Sequence, residues 1–179
     1  MIQFKYLLFV FVALKNEWFV YSAKSWSEQQ KLAASDGVVG DWYGSSVALD
    51  GDTLVVGSYN DDDKGSNSGS VHVYVRSGTT WSVQQKLVAD DGAEFDGFGK
   101  AVALSGETLV VGAYGDEDKG SVYVFVRSDT SWSKQQKITA SDGSIGAYFG
   151  YSVALAVDTL VVGAEGDFVK GSLSGSVYV

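Results

Sequence analysis

The fold of this chain follows from the residues Thr53-Leu54-Val55-Val56-Gly57, since the same five letters return at 108–112 and 159–163. A tyrosine or phenylalanine followed by glycine precedes each copy, at 43–44, 98–99 and 149–150. A Gly-Ser-Val triplet follows each copy, at 69–71, 120–122 and 175–177. The chain is therefore built from a repeated unit that is much longer than five residues.

The length of the repeat is typical of propeller blades or solenoid turns. Trp26, Trp81 and Trp132 open matching runs, with spacings of 55 and 51 residues. Four extra residues, 66–69 and 172–175, account for the difference, because the second unit lacks them. An insertion confined to one position of the repeat indicates a surface loop.

Each unit has the pattern of four short β-strands bounded by Gly, Asp or Ser, without helical periodicity. The first and second strands, such as 98–104 and 109–111, carry small or apolar residues on both faces, which predicts inner strands. The third strand alternates valine with aromatic residues. The fourth, such as 81–88, carries Gln-Gln-Lys in every copy, and lysine there predicts an exposed outer edge. Four antiparallel strands repeated about every 50 residues indicate a propeller blade.

The composition excludes several classes of function. The chain has 179 residues, 22 glycines and no proline, and 45% of its residues are hydrophobic, which is typical of a turn-rich β protein. The absence of cysteine excludes disulfides, zinc-thiolate sites and cysteine nucleophiles. A net charge of −9 without a basic stripe argues against nucleic acids and membrane surfaces as partners. His72 is the only histidine and takes the position of Tyr123 and Tyr178, so we expect it to pack rather than to catalyse.

The pair Phe98-Gly99, followed by Val-Gly-Ala at 111–113 and Ser-Val-Tyr-Val at 121–124, resembles the FG-GAP repeat. The resemblance covers about residues 17–179 and recurs in three copies. It implies a β-propeller related to the integrin α-subunit head, and hence a non-catalytic interaction or adhesion module that is extracellular or at the cell surface. Two features of the family are missing: the proline after Gly-Ala, and the integrin-type calcium loop between the first two strands. That calcium site therefore does not transfer to this chain.

These patterns predict an all-β fold, a partial β-propeller of about three consecutive four-stranded antiparallel blades in an open arc. The predicted segments are the end of a preceding blade at 17–33, blades at 34–88 and 89–139, and an incomplete blade at 140–179. Two inter-blade faces rich in Val, Tyr and Phe would remain uncovered. We therefore expect further propeller blades, or association and aggregation of the isolated chain.

The segment 1–16 is predicted to stand apart from the repeats. Lys5 precedes an apolar run at 6–14 that is long enough for a signal-peptide core and too short to be a transmembrane segment. No convincing cleavage site follows the run. The segment is therefore either a signal peptide or a non-native start, and we expect it to be dispensable for the blades.

Antiparallel strands place the long connections of every blade on one side, which we call the acidic loop face. Three lysines are expected there, Lys64, Lys119 and Lys170. The acids expected there are Asp36, Asp41, Asp61, Asp62, Asp63, Asp90, Asp91, Glu94, Asp96, Asp116, Glu117, Asp118, Asp142, Glu165 and Asp167. We expect a protein or glycan ligand to bind this face.

Two loops of the acidic loop face carry alternate carboxylates two residues before a glycine, a spacing that suits calcium. The candidate metal ligands are Asp61, Asp63, Asp116 and Asp118. The third copy has lost the pattern at 167–169, so calcium is expected at the first two loops and not at the third. No downstream glutamate completes either loop, and a solvated acidic rim is the alternative interpretation.

Catalysis is the competing class of function. The acidic loops would serve a metal-assisted hydrolase, or the blades would be accessory to a longer enzyme, but no residue is assigned a catalytic role. Among the tryptophans, Trp26, Trp81 and Trp132 recur at one position, which indicates packing. Trp42 does not recur and lies at the rim of a loop, so it is the aromatic side chain to test for ligand contact.

Overall fold

The computed structural model describes residues 9–14, 17–22, 26–168 and 174–179. The chain divides into two compact units, Met1–Lys31 and Leu32–Val179. In the first unit, β1 (Phe9–Leu14) pairs antiparallel with β2 (Glu17–Ser22), and residues 26–31 form no strand. The rest of the predicted segment 1–16 lies outside the described residues, so its processing stays a prediction.

The second unit contains three antiparallel sheets, which we call blades 1, 2 and 3. Blade 1 consists of β3 (Ser46–Asp50), β4 (Thr53–Ser58), β5 (Ser70–Ser77) and β6 (Thr80–Leu87). Blade 2 consists of β7 (Phe98–Ser105), β8 (Thr108–Ala113), β9 (Ser121–Ser128) and β10 (Ser131–Ile138). Blade 3 consists of β11 (Phe149–Ala156), β12 (Thr159–Ala164) and β13 (Ser176–Tyr178). Neighbouring strands pair in chain order, which confirms the predicted all-β partial propeller.

The repeated pentapeptide forms the second strand of each blade and is hydrogen-bonded on both sides. In blade 1, Val55 pairs with Ala48 of β3 and with Val73 of β5. Val55 is fully buried in the cluster that joins blades 1 and 2. The equivalent strand of blade 2, β8, is covered on both faces, since Val111 belongs to that cluster and Val110 to the cluster with blade 3. A strand covered in this way needs apolar residues throughout, which is why the sequence does not alternate there.

The hydrophobic core lies between neighbouring blades and not within any single blade. One cluster joins blades 1 and 2 and includes Val55, Val102 and Trp132. A second cluster joins blades 2 and 3 and includes Ala103 and Val162. Successive residues of β7 thus serve different interfaces, because side chains alternate across a strand.

Glycine sets the distance between blades at the end of each pentapeptide. A Cβ atom added to Gly57 would lie less than 3.0 Å from the carbonyl oxygen of Gly99, and one added to Gly112 would meet the carbonyl of Gly150 as closely. Ser46 Oγ donates a hydrogen bond of 2.7 Å to the Gly99 carbonyl. The aromatic-glycine pairs of blades 2 and 3 are therefore each held against the pentapeptide of the blade before them.

Candidate functional site

Lys86 on β6 lies among three carboxylates of the acidic loop face. Its Nζ is 2.7 Å from Asp36 Oδ2, 3.0 Å from Asp61 Oδ2 and 2.6 Å from Asp63 Oδ2. Asp61 is buried and also accepts a hydrogen bond of 2.9 Å from Ser70 Oγ. We call Lys86 with Asp36, Asp61 and Asp63 the first acid–lysine cluster.

The same arrangement recurs in blade 2, one repeat later. Lys137 Nζ on β10 lies 2.6 Å from Asp116 Oδ2 and 2.8 Å from Asp91 Oδ2. The hydroxyl of Tyr123 donates to both acids, at 2.9 Å to Asp91 and 3.3 Å to Asp116. These four residues form the second acid–lysine cluster.

Blade 3 contains the acids of a third cluster. Tyr178 donates to Asp142 Oδ1 at 2.9 Å and to Asp167 Oδ2 at 3.2 Å, as Tyr123 does to its own pair of acids. Among residues 26–168 and 174–179, no lysine or arginine nitrogen lies within 4 Å of either carboxylate. In blades 1 and 2 the lysine of the cluster lies on the fourth strand, whereas the described part of blade 3 contains three strands.

The first two clusters are ion pairs at neutral pH. Burial by itself raises the pKa of Asp91, but hydrogen bonds from Lys137 and Tyr123 outweigh it and lower the pKa to about 2. Burial by itself lowers the pKa of Lys137, and its bonds to Asp116 and Asp91 outweigh that effect and raise it. The pKa of Lys86 is raised in the same way.

The four candidate calcium ligands do not share one environment in the structure. Asp61 and Asp63 meet, but around the Lys86 ammonium. Asp116 faces Lys137, and Asp118 is exposed at the end of a short 3-10 turn, Asp116–Asp118. In the described part of the chain, no group of three or more acidic or histidine side chains has the geometry of a metal site.

The lysines of the Gln-Gln-Lys runs in blades 1 and 2, which were predicted to protect an outer edge, instead form ion pairs with the loop acids. The strands β6 and β10 are outer strands, as expected, but Lys86 and Lys137 turn onto the acids instead of pointing to solvent. Lys134 of β10 likewise pairs with Asp90. More lysines than expected thus offset the acidic loop face, and Lys170 lies outside the described residues. A signal for this pairing is present in the sequence: an Asp-Gly follows every Gln-Gln-Lys at a fixed interval, and Lys86 and Lys137 each pair with the aspartate of the Asp-Gly one repeat earlier.

His72 is buried, as its position in the repeat predicts. Its ring lies edge-on to Tyr43, with 5.5 Å between centroids, and Phe98 meets Tyr123 in the same way at 5.3 Å. Burial lowers the pKa of His72, which favours the neutral imidazole. Its geometry is that of a packing residue.

A second feature of the loops is a row of aromatic rings that crosses all three blades. The ring centroids of Trp42 and Tyr59 are 6.0 Å apart, those of Tyr59 and Tyr114 6.4 Å, and those of Tyr114 and Tyr148 5.8 Å. Lys100 Nζ lies 4.4 Å from the centroid of Tyr59, a cation–π distance. We call Trp42, Tyr59, Tyr114 and Tyr148 the aromatic row.

Trp42 and Tyr148 are exposed and have left-handed backbones, with φ of 56° and 57°. Blade 2 has Gly97 at the equivalent position, with φ of 63°. Phe95 is also exposed, with φ of 67°, where blade 3 has Gly146. A bulky residue at positive φ is strained, and glycine at the equivalent positions satisfies the same fold.

The aromatic row ends in an open groove of about 320 Å³ between blades 2 and 3. Exposed carboxylates and apolar side chains share its lining: Glu94, Phe95, Tyr114, Gly115, Asp118, Ile145, Gly146 and Tyr148. The groove therefore offers aromatic walls and a negative rim to a ligand.

Antiparallel four-stranded sheets that stack through their faces are the arrangement of β-propeller blades. The FG-GAP repeat model matches residues 26–74, 81–125 and 132–179, so the chain belongs to the FG-GAP repeat family. FG-GAP repeats are typical of integrin-α-like propeller modules, which are generally non-catalytic and extracellular. No curated protein matches the sequence. None of the described residues forms a helix long and apolar enough to cross a membrane.

Proposed function

We propose that this chain is an extracellular, non-catalytic adhesion module that binds a protein partner through the aromatic row and the groove at its end. One observation carries this proposal: Trp42 and Tyr148 are exposed on strained, left-handed backbone, where blade 2 uses Gly97. Since blade 2 forms the same turn with glycine, the backbone at that position does not require an aromatic side chain. Strained residues with exposed apolar surface are typical of ligand contacts.

The groove suits a lysine or arginine side chain of the partner. The rings of Phe95 and Tyr148 would cover the apolar stem, and the carboxylates of Glu94 and Asp118 would pair with the charged end. The position of Lys100 against Tyr59 is the intramolecular precedent for such a contact. The net charge of −9 would also attract a basic partner. A glycan stacked on the same rings is the competing ligand class.

A pentalysine peptide is a suitable probe, with binding measured by calorimetry at low salt. We expect Glu94→Gln/Asp118→Asn to weaken binding about fivefold, which corresponds to roughly 1 kcal/mol for partly exposed charge pairs. Asp129→Asn/Asp158→Asn removes the same charge in exposed hairpin turns and should leave the affinity within about twofold. Equal weakening by both double variants would show an effect of net charge alone and reject the groove. Binding of neutral oligosaccharides in place of the peptide would favour the glycan.

We further propose that calcium binds weakly at the first two acidic loops and not at the third. The ion would have to displace Lys86 Nζ, which is 2.6 Å from Asp63 Oδ2, so we expect an affinity of about 1 mM or weaker. In calorimetric titration with calcium, Asp63→Asn/Asp118→Asn should remove the heat that the wild type shows. Asp129→Asn/Asp158→Asn should retain that heat. The same heat from the wild type and Asp63→Asn/Asp118→Asn would reject these loops as calcium sites.

A further inference from the structure

Blade 3 carries an acceptor site for an aromatic-glycine pair, and no such pair from the described residues covers it. The site is an open hollow of about 480 Å³ whose lining includes Ser152, Gly163 and Gly175. Among the described residues, a Cβ atom added to Gly163 would meet only the Ser152 side chain at less than 3.0 Å, and one added to Gly175 would meet nothing that close. We call these three residues the acceptor site.

The equivalent residues of blade 1 are occupied. Ser46 Oγ donates to the Gly99 carbonyl, and a Cβ atom on Gly57 would clash with that same carbonyl. A Cβ atom on Gly69 would clash with the backbone of Phe98. The acceptor site of blade 3 therefore matches a surface that holds the next aromatic-glycine pair elsewhere in the chain.

Blade 1 presents the complementary surface. Val47 and Leu49 of β3 are each 64% exposed, whereas Val102, the equivalent of Val47 in blade 2, is 9% exposed because it packs against blade 1. The pair Tyr43-Gly44 precedes Val47 as Phe98-Gly99 precedes Val102. The exposed face of β3 is thus of the kind that packs against a preceding blade.

Residues 26–32 have the sequence of a fourth strand, Trp-Ser-x-Gln-Gln-Lys-Leu, and match 81–87 at all but the third position. They form no strand, and Trp26 is 91% exposed where its equivalent Trp132 is 3% exposed. Tyr43 follows Trp26 by 17 residues, the same interval that separates Trp132 from the aromatic-glycine pair of blade 3. The spacing therefore allows residues 26–32 to form the fourth strand of one blade while Tyr43 begins the next blade.

Blade 2 exposes the glutamines that would contact Trp26 if residues 26–32 formed the fourth strand of blade 3. Trp132 Nε1 donates to Gln84 Oε1 at 3.0 Å, and its main-chain nitrogen donates to Gln85 Oε1 at 2.8 Å. The equivalent glutamines of blade 2, Gln135 and Gln136, are exposed. Beside them an open, mainly apolar hollow of about 370 Å³ has the following lining: Ile138, Thr139, Ala140, Ser141, Phe149, Leu160, Val162, Tyr178 and Val179.

Charge complementarity points to the same pairing. Lys31 is the equivalent of Lys137 and is exposed. Asp142 and Asp167 share the hydroxyl of Tyr178, and the described residues place no ammonium beside them. A fourth strand made by residues 26–32 would bring Lys31 to these two acids, as β10 brings Lys137 to its own.

We propose that a second copy of this chain completes blade 3. Residues 26–32 of that copy form the fourth strand beside β13, its Lys31 joins Asp142 and Asp167, and its Tyr43-Gly44 occupies the acceptor site. The contact is head-to-tail, and two such contacts close a ring with two-fold symmetry. Propellers close with about four to eight blades, so two copies of three blades fit and three copies do not.

Sedimentation velocity of the full chain tests the proposal. We expect a species of twice the chain mass of 19.1 kDa. Gly163→Ala should produce monomers, because its Cβ atom fills the acceptor site while its only close neighbour within the chain is a side chain that can rotate. Lys31→Glu should also favour monomers, by at least tenfold in the dissociation constant. Lys64→Glu, the same charge reversal at another exposed lysine, should leave the dimer intact.

A charge swap separates this contact from general adhesion between apolar faces. Lys31→Glu combined with Asp142→Lys should restore the dimer that Lys31→Glu loses. Circular dichroism of each variant checks that the blades remain folded. A monomeric wild type, an open series of larger oligomers, or a dimer that both Gly163→Ala and Lys31→Glu leave unchanged would overturn the proposal.

Discussion

Gly112→Ala is expected to force blades 2 and 3 apart and to cost about 3 kcal/mol of unfolding free energy. The new Cβ atom would lie less than 3.0 Å from the backbone carbonyl of Gly150, which the antiparallel pairing of β11 with β12 holds in place. For a chain of this size the loss corresponds to a fall in Tm of roughly 6–12 °C. Thermal unfolding followed by circular dichroism measures it.

Gly163→Ala is the matched control, since it makes the same change at the same position of the repeat. There the new Cβ atom meets only the Ser152 side chain at such a distance. In dilute solution, where separate copies of the chain do not associate, we expect a cost of less than about 1 kcal/mol. Similar melting temperatures for Gly112→Ala and Gly163→Ala would show that the approach of the next blade does not set the cost.

Lys137→Met is expected to destabilise the chain by about 2–3 kcal/mol. The substitution leaves the buried carboxylate of Asp116 without the ammonium that lies 2.6 Å away. Breaking a fully buried ion pair costs about 3–5 kcal/mol. Because Lys137 is partly exposed, we expect the loss of unfolding free energy to lie at or below the bottom of that range. Denaturant unfolding at pH 7 provides the measurement.

Lys134→Met provides the control on the same strand. Lys134 pairs with Asp90, and both side chains are more exposed than Lys137 and Asp116. Exposed ion pairs contribute about 0–1 kcal/mol, so this variant should unfold close to the wild type. Equal losses in the two variants would contradict a special role for the second acid–lysine cluster.

The pH dependence of the Lys137→Met effect follows from Asp91. Its pKa is about 2 in the folded chain and lies near 3.8 without the cluster. A carboxyl whose pKa is lowered by folding adds stability above its unfolded pKa, and loses it as the pH falls through the folded value. The stability difference between wild type and Lys137→Met should therefore be full at pH 5 and shrink towards pH 2. A constant difference over that range would show that the ion pair is not its source.

Sequence patterns were sufficient for the strands and their order in each blade. A pentapeptide with apolar residues on both faces, such as 108–112, requires cover on both faces, and the turn residues between successive strands favour antiparallel pairing. Both are local properties of the backbone, and the structure confirms them. The equivalence of His72 with Tyr123 in the repeat likewise predicted a packing position for His72.

The sequence patterns did not predict the acid–lysine clusters, because the clusters join residues that are far apart in the chain. Lys86 is 50 residues from Asp36 and 25 from Asp61, and its long side chain reaches both. The acids lie on loops, whereas this lysine lies on a strand, so the charge pattern of the loops alone does not reveal the pairing. The strain at Trp42 was equally hidden, since no sequence pattern reports the sign of φ at a non-glycine residue.

The amino-acid sequence therefore fixes the repeat, the four-stranded unit and the family, because hydrogen-bonded strands and turns depend on neighbours in the chain. Tertiary contacts settle the rest: which lysine neutralises which acid, why Gly112 admits no side chain, and where aromatic rings form a row. These features depend on short distances between residues that are far apart in the chain. Such distances are set only when the strands and loops of each blade pair and the blades pack on one another.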